Sequence, residues 1–230
     1  MKIEQHLDLL GLDVDTIYKN LPKQLTLSLK DGVLFVSDQH NQQVHVNFLQ
    51  GRIAFRASQH IAGEHLVKAC RLKNQSEVSV LDATCGMGRD SFLLFQSGFK
   101  VTATEQNPVV HALLTDGLHR YEAETQVMPL KLINEPAENI MKRYLFDVIY
   151  LDPMFPERSN SAKTKKDMQL FHAIHRHKDD NAEFLLKKAL QTKAKRVVLK
   201  RPLRAELLLS MKPTFQIKGK TCRFDAFQLS

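Results

Sequence analysis

With 230 residues, 43% of them hydrophobic, the chain is long enough for one substantial α/β domain and a small extra lobe. Its 33 Lys and Arg against 25 Asp and Glu leave a net charge of +8, which favours polyanionic partners through phosphate neutralisation and counterion release. No apolar run reaches the ~18–20 residues of a membrane span, and Met1-Lys2-Ile3-Glu4 opens no apolar secretory core. Cys70, Cys85 and Cys222 form neither a disulfide framework nor a paired metal-ligand spacing, so a cytoplasmic, metal-free protein is expected.

Residues 1–75 read as a small N-terminal α+β lobe. Leu25-Thr26-Leu27-Ser28-Leu29 alternates, Asp31-Gly32 is a turn pair, and Val33-Leu34-Phe35-Val36-Ser37 resumes an apolar run, which predicts a hairpin. Val44-His45-Val46-Asn47-Phe48 alternates again and predicts a third strand. Leu66, Val67, Ala69 and Cys70 support a helix leading into the next unit.

Over 76–230 the pattern becomes strand, helix, strand. Strands are predicted at Val78–Asp82, Lys100–Glu105, Met128–Ile133, Asp147–Asp152 and Arg196–Lys200. Helices are predicted over Arg89–Gln96, from Asn107-Pro108 onward, and over Ala182–Leu190. Such alternation implies a parallel sheet covered on both faces, and Thr214–Lys218 with Arg223–Leu229 adds a C-terminal antiparallel hairpin. The fold class is therefore α/β, a Rossmann-like sheet of the methyltransferase kind.

In open α/β sheets, ligands bind beyond the carboxyl ends of the strands at the switch point. Gly86 and Gly88 follow the first such strand, where a missing Cβ admits close backbone approach to a ligand. Asp82 ends that strand and Glu105 ends the next, a spacing that suits a carboxylate accepting from both ribose hydroxyls of an adenine nucleoside. A pyrophosphate wants a third glycine, whereas Arg89, Asp90 and Ser91 follow Gly88 here. Arg89 and Asp90 suit a ligand end with carboxylate and ammonium groups, which tilts the choice from a nicotinamide dinucleotide toward S-adenosylmethionine.

Tyr150-Leu151-Asp152-Pro153-Met154-Phe155-Pro156 resembles the (Asn/Asp)-Pro-Pro-(Tyr/Phe) motif of methyltransferases acting on exocyclic or amide nitrogens, with Met154 at the second proline. An aryl amino nitrogen is a poor nucleophile because its lone pair is delocalised into the ring. Asp152 and the carbonyl bracketed by Pro153 can accept its N–H bonds and aim the lone pair, and Phe155 can stack on the base. Arg158, Lys163, Lys165 and Lys166 follow directly, and Lys200-Arg201 ends the fifth parallel strand; all six are candidate phosphate contacts. His172, His175 and His177 lack partners for a metal site and are read as surface or RNA-facing residues, and Cys85 as a small packing residue.

Taken in order, Leu81-Asp82-Ala83-Thr84-x-Gly86-x-Gly88-Arg89-Asp90, Asn107-Pro108-Val109-Val110, Leu113-Leu114-x-Asp116-Gly117-Leu118, Tyr150–Pro156, Ser161-Ala162-x-x-Lys165-Lys166-x-Met168, Val197-Val198-x-Lys200-Arg201-Pro202 and Arg223-Phe224-Asp225 resemble the RsmJ family. The resemblance covers about residues 78–228. It implies a bacterial methyltransferase of ribosome biogenesis, with S-adenosylmethionine as donor. The acceptor it implies is the exocyclic N2 amino group of one guanosine in 16S ribosomal RNA or the small ribosomal subunit. It also implies cofactor contacts at Arg89-Asp90, Glu105-Gln106, Pro136-Ala137 and Asp152. Within the same chemistry, a DNA base or a protein amide nitrogen would also use Asp152. A nicotinamide-dependent oxidoreductase or a non-catalytic RNA-binding protein are readings of other classes.

Overall fold

A computed structural model describes residues 1–51, 63–153, 170, 173–174 and 182–229. The chain divides into two compact units. One comprises Met1–Leu49 and Asn107–Met128, together with the described residues Leu170, Ala173 and Ile174; the other comprises the described residues among 50–106, 129–153 and 182–229.

In the first unit, helices α1 (Ile3–Leu9) and α2 (Val14–Asn20) precede a three-stranded antiparallel sheet of β1 (Leu25–Lys30), β2 (Val33–Asp38) and β3 (Gln43–Val44). Lys30 pairs with Val33, so Asp31 (φ 49°) and Gly32 (φ 75°) form the two-residue turn that the sequence predicts. The third strand is shorter than expected. Val44, Val46 and Phe48 remain buried in alternation, but the ladder ends at Val44 and the Val46 carbonyl accepts from Arg120 instead. Arg120 belongs to a long helix, Pro108–Thr125, whose first turn is capped by the Asn107 side chain accepting from the Val109 and Val110 N–H groups. On that helix Asp116 is buried and accepts from His6 (2.8 Å), Arg120 (2.8 Å) and the Leu34 N–H (3.2 Å), tying α1, the helix and β2 together.

In the second unit, α3 (His65–Cys70) precedes a seven-stranded sheet. Its strands are β4 (Ser79–Asp82), β5 (Lys100–Thr104), β6 (Lys131–Ile133), β7 (Val148–Leu151), β8 (Arg196–Pro202), β9 (Phe215–Lys218) and β10 (Cys222–Gln228). Their spatial order is β6-β5-β4-β7-β8-β10-β9. The first five pair in parallel, and β10 is antiparallel to both neighbours, so the C-terminal hairpin expected from sequence closes the sheet. The chain runs outward from β4 to β6 and then restarts at β7 on the other side of β4. That reversal leaves a crevice at the carboxyl ends of β4 and β7.

Besides α3, the helices of this unit include α4 (Arg89–Gln96), α6 (Ala137–Arg143) and α7 (Ala182–Leu190), with α5 being the Pro108–Thr125 helix of the first unit. Leu81, Ile149, Leu151, Val197 and Leu199 form a core with Ile140, Leu186 and Ala189 of α6 and α7. Side chains alternate across a strand, so Asp82, Tyr150 and Lys200 emerge on the opposite face, the one covered by α4. None of the described helices is long and apolar enough to cross a membrane.

Candidate active site

The loop after β4 is held from inside. Gly86 (φ 53°) and Gly88 (φ 71°) occupy left-handed backbone, and the Gly88 N–H donates to the Cys85 carbonyl at 2.9 Å, turning the chain directly into α4. The buried Asp82 carboxylate faces its own loop: it accepts from the Ser91 hydroxyl at 2.5 Å and from the Thr84 N–H at 3.2 Å. Burial pushes the Asp82 carboxyl up to about 7, against the pull of those two donors. With each of its oxygens engaged and only 1% of its surface open, Asp82 shapes the loop expected to carry the cofactor. The Cys85 thiol is lifted well above its ordinary value by burial and by Asp82 and Glu105, which leaves it a packing residue.

Glu105 follows β5 and is buried, its N–H donating to the Ile133 carbonyl at 3.1 Å. Its carbonyl accepts from the Asn134 side chain at 2.6 Å, which fixes the loop after β6 against it. Gln106 is half-buried beside it, Pro136 precedes the first residue of α6, and Ala137 is that residue and buried. The Cys85 N–H reaches the Thr104 carbonyl at 3.3 Å, so the loops after β4, β5 and β6 lie side by side.

On the other side of the crevice, the Asp152 N–H donates to the Thr84 hydroxyl at 2.6 Å. The Asp152 carboxylate accepts from the Lys200 ammonium at 2.7 Å, and the same ammonium reaches Asp90 at 2.8 Å. The Tyr150 hydroxyl donates to the same Asp90 oxygen at 2.6 Å. Burial raises the Asp152 carboxyl above its ordinary range, Lys200 opposes the rise, and Asp90 adds to it. Burial works against the charge on Lys200, but the two carboxylates outweigh it and hold the ammonium above its ordinary value. Tyr150 is raised well above its ordinary value by burial and then by Asp90 and Asp152, so it stays a neutral donor.

The structure therefore brings Gly86, Gly88, Arg89, Asp90, Glu105, Gln106, Pro136, Ala137, Asp152 and Pro153 to one edge of the sheet. Phe155, Arg158, Lys163, Lys165, Lys166 and the three histidines lie outside the described residues. Two of the candidate phosphate contacts are engaged within the protein. Lys200 bridges two carboxylates. Arg201 is 7% exposed and donates to the Glu206 carbonyl at 2.7 Å, so it faces inward. Next to it, buried Arg223 forms a two-pronged pair with Asp225 at 2.9 and 3.1 Å and donates to the Pro202, Leu203 and Ala205 carbonyls. That clamp holds the chain that follows Lys200.

Residue patterns alone assigned no role to Thr84, Ser91, Asn134 or Tyr150. Tyr150 did carry a signal: a tyrosine in an otherwise apolar four-residue strand needs a partner for its hydroxyl.

A family model described as "Putative SAM-dependent methyltransferase" matches residues 12–229. Ribosomal RNA small subunit methyltransferase J of Hahella chejuensis is 42% identical over 192 residues, 81% of this chain and 72% of that protein. The protein of the same name from Thioalkalivibrio sulfidiphilus is 39% identical over 193 residues, 80% of this chain and 75% of that protein. The crystal structure of an SAM-dependent methyltransferase from Neisseria gonorrhoeae superposes with a TM-score of 0.70 at 32% identity, covering 90% of this chain and 84% of that one.

Proposed function

Because the chain belongs to the ribosomal RNA small subunit methyltransferase J family of SAM-dependent methyltransferases, we propose that it methylates the exocyclic N2 amino group of a specific guanosine in 16S ribosomal RNA. The observation that carries this reading is the placement of the Asp152 carboxylate. It stands at the carboxyl end of a central strand and is tied by its backbone to the loop with Gly86 and Gly88.

The residues present fit the donor. S-adenosylmethionine is positively charged at sulfur and ammonium, and Asp90, Glu105 and Asp152 gather carboxylates on the edge where it would lie. Glu105 and Gln106 would hold the ribose, Pro136 and Ala137 the adenine side, and Gly86, Gly88, Arg89 and Asp90 the methionine end, within a loop shaped by Asp82. Bound there, the donor supplies an electrophilic methyl group whose S–C bond breaks as the N–C bond forms.

The protein's part is positioning and charge stabilisation. Asp152 accepts one N–H of the acceptor nitrogen, and the carbonyl bracketed by Pro153 accepts the other. The lone pair is thereby directed out of conjugation and toward the methyl group. Asp152 then stabilises the positive charge on nitrogen and takes the proton that the methylated nitrogen sheds. Phe155 stacks on the base, and Arg158, Lys163, Lys165 and Lys166 neutralise flanking phosphates. Residues 76–230 make up the methyltransferase domain in this reading and 1–75 an accessory lobe. The substrate places the protein in the cytoplasm.

Labelling with methyl-tritiated donor on small subunits from a strain lacking the protein tests the reading. N2-methylguanosine is the expected labelled nucleoside; another methylated nucleoside, or label in ribosomal protein, overturns it.

A further inference from the structure

Lys200 lies between two carboxylates because of strand register. β7 and β8 run parallel with Leu151 opposite Leu199, so the next residues, Asp152 and Lys200, emerge side by side on the face covered by α4. Asp90, in the first turn of α4, meets the same ammonium, and its oxygen is also held by the Tyr150 hydroxyl.

We propose that Lys200 is a positioning residue for methyl transfer: it keeps Asp152 ionised, with one carboxylate oxygen pinned, so that the other oxygen receives the N–H of the acceptor. This rests on the reading of Asp152 as the acceptor's partner.

A carboxylate at this spot is under pressure to hold a proton. It is part-buried, with 34% of its side chain exposed, and a second carboxylate shares its counter-ion. The described titratable groups that face it are Asp82 from the end of β4, Asp90 from α4, Tyr150 from β7 and Lys200 from β8. Asp90 disfavours a further negative charge, and Lys200 is the positive charge that offsets it. A protonated Asp152 would offer less negative charge to the nitrogen in the transition state and could not take its proton. Lys200 thus acts on the reaction through Asp152.

The test is turnover on small subunits as a function of pH for the wild type, Lys200→Met and Lys200→Arg, with Asp152→Ala alongside. Removing an opposite charge in contact with a carboxylate raises its pKa by about one to three units. The acidic limb of kcat should therefore move up by about that much in Lys200→Met, with turnover recovering as the pH rises, while Lys200→Arg keeps the wild-type limb. Equal loss at every pH, or an unmoved limb, overturns the proposal, since a merely structural role would not follow pH.

Difference infrared spectroscopy gives a second reading on the wild-type protein. The carboxyl band missing from Asp152→Asn marks the Asp152 titration, and Asp152 found protonated at neutral pH overturns the proposal without any variant of Lys200. Should Lys200→Met fail to fold by circular dichroism, Lys200→Gln, which keeps a donor without the charge, carries the same pH test. The two readings fail separately. Retained turnover in Asp152→Ala removes Asp152 from the reaction, whereas a dead Asp152→Ala with an unmoved Lys200→Met limb removes Lys200 alone.

Discussion

The Thr84 hydroxyl accepts the Asp152 backbone N–H at 2.6 Å, joining the loop after β4 to the strand end after β7 across 68 residues of sequence. Each segment carries one half of the proposed chemistry, and this bond sets the distance between them. Thr84→Val keeps the shape of the side chain and leaves the Asp152 N–H without its acceptor. A fully buried donor left unsatisfied costs about 1–3 kcal/mol, an upper bound for this part-buried N–H. A small displacement of reacting groups can lower turnover by up to about 100-fold. The expected outcome is a larger fall in kcat than in donor affinity, with Thr84→Ser restoring both. Steady-state kinetics and calorimetry with S-adenosylhomocysteine check it.

Asp82 makes stability depend on pH. Its carboxyl is lifted by burial from 3.8 to about 7, so between those values the folded protein holds the proton more tightly than the unfolded chain. Its contribution is therefore fully present below the unfolded value and is lost as the pH rises toward about 7. Asp82→Asn removes that dependence while leaving an acceptor for the Thr84 N–H and a donor for Ser91. Urea midpoints between pH 4 and 8 should fall less steeply in Asp82→Asn than in the wild type. Parallel curves would show that Asp82 does not titrate in this window.

Arg223 and Asp225 are 6% and 2% exposed, and Arg223 also supports three carbonyls at the end of β8 and just after it. Breaking a buried pair by removing one partner costs about 3–5 kcal/mol. Arg223→Ala should lose stability of that order in urea unfolding. Arg223→Lys should recover only part of it, since an ammonium cannot reproduce the two-pronged contact and the carbonyl contacts together. A loss under about 1 kcal/mol in Arg223→Ala, the scale of an exposed pair, would show that the pair is solvated.

Gly117 inverts a usual preference. Within a helix, alanine is favoured over glycine by about 1 kcal/mol. A Cβ at Gly117 would sit 2.5 Å from Val46 Cγ1 and 3.1 Å from the Val46 carbonyl oxygen. Gly117→Ala should destabilise by about 1–3 kcal/mol through overpacking, and Val46→Ala in the same chain should relieve part of the loss. Thermal melts of the single and double variants check both signs.

Much of the fold was legible in local pattern. The strand-helix alternation, the Asp31-Gly32 turn, the helices over Arg89–Gln96 and Ala182–Leu190, and the C-terminal hairpin all follow from periodicity and turn chemistry that act over a few residues. The strand-end acids were legible too, because Gly86, Gly88, Glu105 and Asp152 sit where an α/β sheet places ligands. The expected third strand through Phe48 was shorter because Arg120, 74 residues away from Val46, takes its carbonyl. Alternation reports burial and not pairing.

The fold class and the acids at the strand ends are legible without the structure, since each depends on residues close in the chain. What those acids touch depends on residues far apart in the chain. A lysine at a strand end in a basic chain suggests only that it meets anions; the order β7-β8 and the Leu151–Leu199 register set Lys200 against Asp152 and Asp90. Arg201, one residue on, faced the opposite way and was buried. A one-residue step along a strand reverses the face of the sheet, and strand order is chosen by burial across the whole core.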